Sequence, residues 1–293
     1  MKNLLNYYYN LNVKEFRKIG ESFVFEINNT RYCFLPIHRE INEFYKIYSL
    51  ISRNNIYCHQ IISNKDNSII TFNKNNPYIL LKKNMCSSSL INFNDILNYS
   101  VNIYGDYRLN WKNLWKNKID YYEYQISQIG SEYKILKESF SYYTGISEIA
   151  INLLNYVNDK NIKPSICHNR INYKEDIDEF LNPLNIIVDS KIRDISEYIK
   201  INYIFGEYDL NYILHSVLPF INMNDDEATL LLARLLYPSY YFDLYDKIIQ
   251  KKISEDKIDY YIKKNVQYET FLKGIYKYLK KTYKIPEIEW FEF

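Results

Sequence analysis

Alternating apolar and polar residues predict a strand-rich region over residues 1–81. The runs 21–28 and 31–38 alternate with the period of two expected of β-strands, and Asn28-Asn29-Thr30 between them is typical of a hairpin turn. Residues 40–52 carry apolar side chains at helical spacing and predict an amphipathic helix. Three further strands are predicted, at 55–62, 68–73 and 77–81.

The pattern changes to helical periodicity after residue 90. Asp194, Asp209 and Asp225 stand at or near predicted helix starts, where carboxylates cap free N–H groups. Helices are predicted at 94–104, 110–129, 146–159, 194–205, 209–220, 225–236, 239–251 and 254–281. No long Gly/Ser/Pro linker interrupts the chain, so residues 1–85 and 86–293 are expected to be two lobes of one folding unit, with a hinge over 82–89.

Composition and charge exclude several classes of partner. The 293 residues have a formal net charge of +2, which gives no electrostatic reason to expect binding to nucleic acid or to an anionic membrane. The N-terminal sequence MKNLLNYYYN lacks the features of a signal peptide, and the apolar run LLLARLL is interrupted by Arg234. We therefore expect synthesis in a cytoplasm, without a signal peptide or a membrane span.

Cysteine and tyrosine carry little functional information. The four cysteines form no CxxC pair, and Cys58 and His59 point to opposite faces if they lie on a strand, so no zinc site is predicted. The 33 tyrosines run from Tyr7 to Tyr283 without a cluster. This spread favours AT-rich codon usage over a surface designed for oxidative cross-linking.

The segment 166–200 has the order of a phosphotransferase catalytic loop and metal loop. Kinases place an Asp after a conserved His to accept the proton of the attacking hydroxyl, and a second Asp holds Mg²⁺. Here His168 is followed by Asn169 and Arg170, and the apolar strand 184–188 leads to Asp189. A guanidinium stays protonated at ordinary pH, so Arg170 cannot act as a base.

Four segments carry a resemblance to a known family: WKNLWKNKIDYYE at 111–123, ICHNR at 166–170, VDSKIRDISEYIK at 188–200 and ARLLYPSYYFDLYD at 233–246. The tail IPEIEWFEF adds a weaker match. The chain resembles the bacterial spore-coat kinase-like proteins of the CotS/YutH group, in particular the YutH branch, within the aminoglycoside phosphotransferase and choline kinase-like superfamily. The resemblance implies an α+β, two-lobed protein-kinase-like fold, with a small strand-rich N-lobe and a mainly helical C-lobe. It also implies synthesis in the mother cell, a location in the spore coat and coat proteins as partners.

The resemblance also assigns roles to individual residues. Asp189 matches the metal-binding Asp, His168 a structural His, and Asp194 the Asp that ties the next helix to the loop. Arg193 pairs with one of these carboxylates or is exposed, and Arg170 is expected to pair with Asp189 or Asp194 in place of the metal. The alternatives are a strand-end polar residue at Asp189, an N-cap at Asp194 and an Arg170 that points to solvent.

Other parts of a phosphotransferase are missing. The turn at 28–30 has no glycine to cover phosphates, and the strand 32–36 has no lysine to hold them. Glu40 or Glu43, which would pair with that lysine, is expected to be solvated. The Asn of the family pattern falls at Glu175, in a charged run expected to be a solvated loop, and two later asparagines substitute only if the loop folds back (Asn182 and Asn185).

Three functions are consistent with these observations. The preferred hypothesis is a catalytically degenerate kinase (a pseudokinase) that acts as a scaffold or assembly factor of the spore coat. The alternative is an active small-molecule phosphotransferase that uses ATP and Mg²⁺ with Asp176 or Asp178 as base. The third is a regulator that binds ATP without turnover.

Trp111, Leu114 and Trp115 have helical spacing and are predicted to be core residues.

Overall fold

The structure, a computed structural model, describes residues 1–84, 90–103 and 110–292. The chain divides into two compact units. The first is formed by Met1–Ile91 with Lys174–Val188, and the second by Asn92–Tyr173 with Asp189–Phe293. The expected hinge over 82–89 lies partly outside the described residues, and the lobe boundary at residue 85 stays a prediction.

Six strands of the first unit form one antiparallel sheet in the order β1-β2-β3-β6-β4, with β5 also paired to β6. The strands are β1 (Arg17–Ile19), β2 (Ser22–Ile27), β3 (Thr30–Pro36), β4 (Gln60–Ile62), β5 (Thr71–Asn73) and β6 (Asn76–Lys82). The runs predicted at 55–62 and 68–73 are strands only in their last three residues.

Two tight turns join the first three strands of the sheet, one more than the sequence predicted. Asn28 and Asn29 have φ of 50° and 59°, which fits the predicted hairpin because Asn tolerates the left-handed region. However, β1 was not predicted, so this hairpin joins the second and third strands. The turn between the first two strands is Gly20-Glu21, where Gly20 has φ of 60°. It is a two-residue turn and too short to cover a nucleotide's phosphates.

The helices have the following bounds: α1 (Lys2–Tyr9), α2 (Ile41–Arg53), α3 (Phe93–Tyr99), α4 (Trp111–Ile129), α5 (Lys134–Leu153), α6 (Ile177–Phe180), α7 (Ile192–Ile204), α8 (Leu210–Tyr212), α9 (Asp225–Leu236), α10 (Ser239–Ile249), α11 (Asp259–Ile262), α12 (Asn265–Thr282) and α13 (Glu289–Glu292). The predicted helix at 94–104 ends early, and its last residue, Tyr104, lies outside the described residues. None of the helices in the described part of the chain is long and apolar enough to cross a bilayer.

The sheet of the first unit has a separate apolar cluster on each face. Successive β3 residues point to opposite faces, so Cys33 packs in the cluster with α2, and Phe34 packs in the cluster with α1. The helix α1 was not predicted, because its sequence has only a short apolar stripe around Leu5, which is fully buried. These two clusters fix which residues of β2, β3, β4 and β6 face each side of the sheet.

Three predicted helices of the second unit differ from the structure. Helix α5 begins twelve residues before the predicted start at 146, and Glu255 caps it by accepting hydrogen bonds from the Ile135 and Leu136 N–H groups at 3.1 and 3.3 Å. The predicted helix at 209–220 becomes α8, a π-helical turn and a 3₁₀ turn, since Pro219 lacks the N–H that an α-helix needs. The predicted helix at 254–281 is divided into a 3₁₀ turn, α11 and α12.

Two short strands form a second sheet and lead into the candidate site. They are β7 (Pro164–His168) and β8 (Ile186–Ser190), and β8 is followed almost directly by α7. The Cys167 Sγ contacts the Ser190 carbonyl at 3.2 Å. His168 and Asp189 therefore lie at strand ends, where side chains are positioned rigidly.

Candidate functional site

His168 and Asp194 form the buried base of the candidate site. The Asp194 carboxylate, in the first turn of α7, accepts the His168 backbone N–H at 3.0 and 3.1 Å. It also lies 2.8 Å from His168 Nδ1, and both side chains are almost fully buried. The carboxylate thus holds the end of β7 to α7. This is the structural role that the resemblance assigned to Asp194.

Asp189 is enclosed by hydrogen-bond donors. Its carboxylate accepts from Arg193 Nη1 at 2.9 Å, from Arg234 Nη2 at 2.9 and 3.0 Å, and from Trp111 Nε1 at 2.7 Å. The Ser190 backbone N–H donates to the same carboxylate at 2.7 Å. Burial alone would raise the pKa of the Asp189 carboxyl, but the two guanidinium groups outweigh it and lower the pKa below its ordinary value.

The two arginines are themselves held in place. Arg234 is 5% exposed, on α9, and its guanidinium lies 5.2 Å from the Trp111 ring and 5.8 Å from the Trp115 ring. Arg193 also donates to the backbone carbonyls of His168 at 3.0 Å and Asn169 at 2.7 Å. Arg193 thus joins the loop after β7 to the carboxylate at the end of β8.

Arg170 does not reach this carboxylate, and the expectation that it pairs with Asp189 or Asp194 was wrong. It donates through Nε and Nη2 to both oxygens of Asp243, each at 2.9 Å. Both side chains of this pair are 36% exposed. Arg193 and Arg234 neutralise Asp189 instead, and Asp194 is paired with His168.

Sequence reasoning missed Arg234 and Asp243 as site residues, although one signal was available. An arginine inside the apolar run LLLARLL requires a buried carboxylate partner, because an unpaired buried charge is too costly. Trp111 was predicted as a core residue and is buried, but it also donates to Asp189. Leu114 was predicted to be a core residue and is 62% exposed, so that prediction was wrong.

The residues around Asp189 do not fit a magnesium ion. Mg²⁺ requires several oxygen ligands in octahedral geometry, whereas the neighbours of this carboxylate are N–H donors, two of them cationic. Within residues 1–84, 90–103 and 110–292, no group of three or more His, Cys, Asp or Glu residues could hold a metal. The assignment of Asp189 as a metal ligand therefore stays a prediction with no support from this donor set.

The charged run after the catalytic loop is not the solvated loop expected from the sequence. Glu175, at the family's Asn position, is 5% exposed. Asp176 caps α6 by accepting the Asp178 N–H at 2.9 Å, and Asp178 pairs with Lys83 at 2.6 Å. His59 Nε2 lies 3.4 Å from the Asp178 carboxylate. Both carboxylates proposed as alternative bases therefore have structural partners within the first unit.

The later asparagines also serve local structure. Asn182 accepts the Leu184 N–H at 3.1 Å in a 3₁₀ turn, and the Asn185 side chain donates to the Glu179 carbonyl at 3.4 Å. Both contacts stabilise the turn that precedes β8.

The strand that would carry the phosphate-binding lysine is apolar on the face that packs against α2. Cys33 lies in the apolar cluster of that face, and Leu35 and Leu184 pack against the cluster. Arg39 donates to the Ile186 carbonyl at 2.9 Å and to the Leu184 carbonyl, and so fastens the 184–186 segment to the first unit. Glu43, expected to be solvated, is 55% exposed in its side chain and lies 4.0 Å from Arg39.

Solved kinases of small molecules have the same fold as this chain. An aminoglycoside phosphotransferase from Alicyclobacillus acidocaldarius matches with a TM-score of 0.68 at 10% identity, covering 96% of each chain. A spectinomycin phosphotransferase bound to AMP matches with a TM-score of 0.59 at 12% identity, covering 94% of this chain and 96% of the other. The choline kinase of Streptococcus pneumoniae matches with a TM-score of 0.52 at 9% identity, covering 94% of this chain and 97% of the other. These matches confirm the predicted fold class.

Sequence comparison gives a narrower classification than the comparison of folds does. The endospore coat-associated protein YutH of Bacillus subtilis strain 168 is 26% identical over 208 residues, which cover 61% of this chain. The match spans 60% of the length of that relative. The family model described as spore coat putative kinase YutH matches residues 2–275. The chain therefore belongs to the YutH family of spore-coat putative kinases and has an aminoglycoside phosphotransferase-like fold.

Proposed function

We propose that this protein is a catalytically inactive member of the kinase-like fold that serves as a scaffold or assembly factor of the bacterial spore coat. One observation carries the catalytic part of the proposal. The Asp189 carboxylate, which would hold Mg²⁺ in an active kinase, is occupied by Arg193, Arg234 and Trp111. The site is complete as a structural ion cluster.

The energetic cost of converting this cluster into a metal site is high. A magnesium ion at Asp189 would have to displace two guanidinium groups, and breaking a buried ion pair costs about 3–5 kcal/mol. Arg234 would then be left buried without a carboxylate, since it is 5% exposed. The donors to Asp189 come from α7 and α9, which argues that the role of the cluster is to hold these helices to the end of β8.

The first unit supports the same conclusion independently. Kinases hold the phosphates with a lysine on the third strand. Here Cys33 and Leu35 on that strand belong to an apolar core, and Leu184 packs against it. These strand positions therefore supply no lysine for a nucleotide's phosphates. Loss of both the phosphate lysine and the catalytic carboxylate removes the positioning and electrostatic stabilisation that phosphoryl transfer requires.

The coat role rests on the family and on the printed name of the Bacillus subtilis relative, a coat-associated protein. We infer synthesis in the mother-cell cytoplasm followed by assembly into the coat, with coat proteins as partners. A scaffold needs a stable fold and exposed surface, and it does not need turnover. A buried charge cluster in place of a metal site is compatible with that requirement.

A binding and turnover assay tests the catalytic part. Purified protein is heated with ATP and Mg²⁺ in a thermal-shift experiment and incubated with aminoglycosides, spectinomycin and choline, with an active spectinomycin phosphotransferase as the positive control. We expect no nucleotide-dependent shift and no phosphorylated product. Turnover that is abolished by Asp189→Ala would contradict the proposal.

The coat role requires a separate experiment. A fluorescent fusion is expressed in a sporulating Bacillus that lacks its own relative, as wild type and as Asp176→Ser, which keeps a helix cap but removes the candidate base. Both are expected to associate with the coat of the spore. Diffuse fluorescence of both proteins would refute the coat role, whereas loss in Asp176→Ser alone would indicate that this carboxylate has a function besides capping.

A further inference from the structure

A small cavity in the second unit is lined by a further group of charged residues, which includes Arg170. We call it the Lys200 pocket. The cavity has a volume of about 90 Å³, and its polar walls include Arg170, Glu197, Lys200, Ser239 and Asp243. Apolar walls complete it, contributed by Ile201, Ile204 and Phe205 of α7 and its end.

Lys200 is a buried cation with unused hydrogen-bonding capacity. It is 3% exposed, and its ammonium donates to the Tyr237 carbonyl at 2.8 Å and to Ser239 Oγ at 3.3 Å. The Glu197 carboxylate lies 3.9 Å from this ammonium, which is beyond hydrogen-bond distance. A lysine ammonium has three donors, so one remains for a group that enters the cavity.

Two groups in the pocket wall, Glu197 and Lys200, are charged at neutral pH. Burial would raise the pKa of Glu197, but the charges of Lys200, Arg170, Arg193 and Arg234 outweigh it and lower the pKa to about 2. Burial lowers the pKa of Lys200 to about 8, so this residue is still mainly protonated at neutral pH. The pocket wall therefore holds two cations and two carboxylates, and an entering anion would be bound through free N–H donors of Lys200 and Arg170.

Those two carboxylates already have donors. Asp243 accepts two hydrogen bonds from Arg170, and Glu197 accepts one from the Ser239 hydroxyl at 3.1 Å. Arg170 uses Nε and Nη2 on Asp243 and Nη1 on the Asn169 carbonyl at 3.4 Å. A guanidinium has five N–H groups, so Arg170 retains donors beside those of Lys200.

We propose that the Lys200 pocket binds a small tetrahedral oxyanion, either free phosphate or the phosphoryl group of a phosphomonoester, held by Lys200 and Arg170. The cavity volume suits a group of this size and excludes a nucleotide. The proposal goes beyond a scaffold role, which requires no ligand. It gives Arg170, in the position of a kinase base, the task of binding an anion instead of accepting a proton.

Calorimetric titration with inorganic phosphate tests the site at pH 7 and constant ionic strength, with chloride as the salt control. We expect saturable binding by the wild type and a loss of affinity of at least about tenfold in Lys200→Met, because a charged hydrogen bond is removed. Lys277→Met is the matched control, since Lys277 is an exposed lysine on another helix. It should bind phosphate as the wild type does.

A second variant keeps the test decisive if Lys200→Met does not fold. Ile201→Phe fills the cavity without changing charge and should abolish phosphate binding. O-phosphoserine distinguishes the two sources: tighter binding than phosphate indicates a phosphorylated side chain, and weaker binding indicates the free ion. Absence of saturable phosphate and phosphoserine binding by the wild type, or unchanged binding in Ile201→Phe, would overturn the proposal.

Discussion

Replacing Arg234 with methionine removes one of the two guanidinium groups that neutralise Asp189 and keeps most of the apolar stem. The Asp189 side chain is 7% exposed, and of its described donors it would retain Arg193, Trp111 and the Ser190 backbone N–H. Removing one partner of a buried pair costs about 3–5 kcal/mol, and the remaining donors place this case near the lower end. For a chain of this size, about 3 kcal/mol corresponds to a fall in Tm of roughly 6–12 °C.

The measurement is denaturant unfolding together with calorimetric Tm for Arg234→Met and for two comparisons. Arg170→Met breaks the half-exposed pair with Asp243 and should cost no more than about 1 kcal/mol. The double variant Asp189→Asn/Arg234→Met removes both charges and should recover part of the loss, because the buried carboxylate is gone and Arg193, which is 17% exposed, keeps the His168 and Asn169 carbonyls. An Arg234→Met protein as stable as the wild type, or a larger loss in Arg170→Met, would refute the reasoning.

The ion pairs of Asp189 also make the stability of the fold depend on pH. The pKa of Asp189 is lowered in the folded protein, so its ion pairs contribute stability above the ordinary carboxyl pKa, and this contribution is lost as pH falls through the folded pKa. Without Arg234 the folded pKa of Asp189 rises towards its unfolded value, so the loss of stability in acid that comes from Asp189 should be smaller and should be complete at higher pH. Tm measured from pH 3 to pH 7 in both proteins checks this shift.

Three further predictions concern the rest of the site. Arg170→Asp faces Asp243 with a like charge and should lower Tm without creating phosphotransfer, measured by the assay of small-molecule phosphorylation; a gain of turnover would contradict it. Sulfate keeps its charge, and it should bind the Lys200 pocket less tightly as pH rises through about 8, the pKa of Lys200, while Arg170 and Glu197 stay charged; pH-independent affinity would count against the pocket. Arg39→Ala should loosen the 184–186 segment, and hydrogen exchange at those amides should become faster than in the control Arg53→Ala.

Elements with strong local signals were predictable from the sequence. The Asn28-Asn29 hairpin and helix α9, predicted at 225–236, depend on turn residues and on a capping box formed by neighbours in the chain. Helix α5 was not predicted over its first twelve residues, because its cap is Glu255, about 120 positions away in the sequence. Local periodicity carries no information about such a contact.

In the candidate site, too, features set by nearby residues were predictable, and contacts between distant residues were not. The loop order that placed His168, Asp189 and Asp194 together follows from short spacings along one segment, and it was visible in the sequence. The partner of Asp189 was assigned to Arg170 on the assumption that the residue in the base position faces the metal loop. Arg234 is 45 positions from Asp189 and approaches from another helix, so only the packing of α9 reveals it.

Metal binding at Asp189 tests the central claim most directly. Mn²⁺, which substitutes for Mg²⁺ at oxygen ligands and is detected by electron paramagnetic resonance, is titrated into the protein with and without ATP. We expect that, without ATP, the free Mn²⁺ signal in the presence of protein equals the signal of Mn²⁺ alone. With ATP, it should equal the signal of Mn²⁺ and ATP without protein. A bound Mn²⁺ population that disappears in Asp189→Asn, with the variant still folded, would contradict the claim that arginines have replaced the metal.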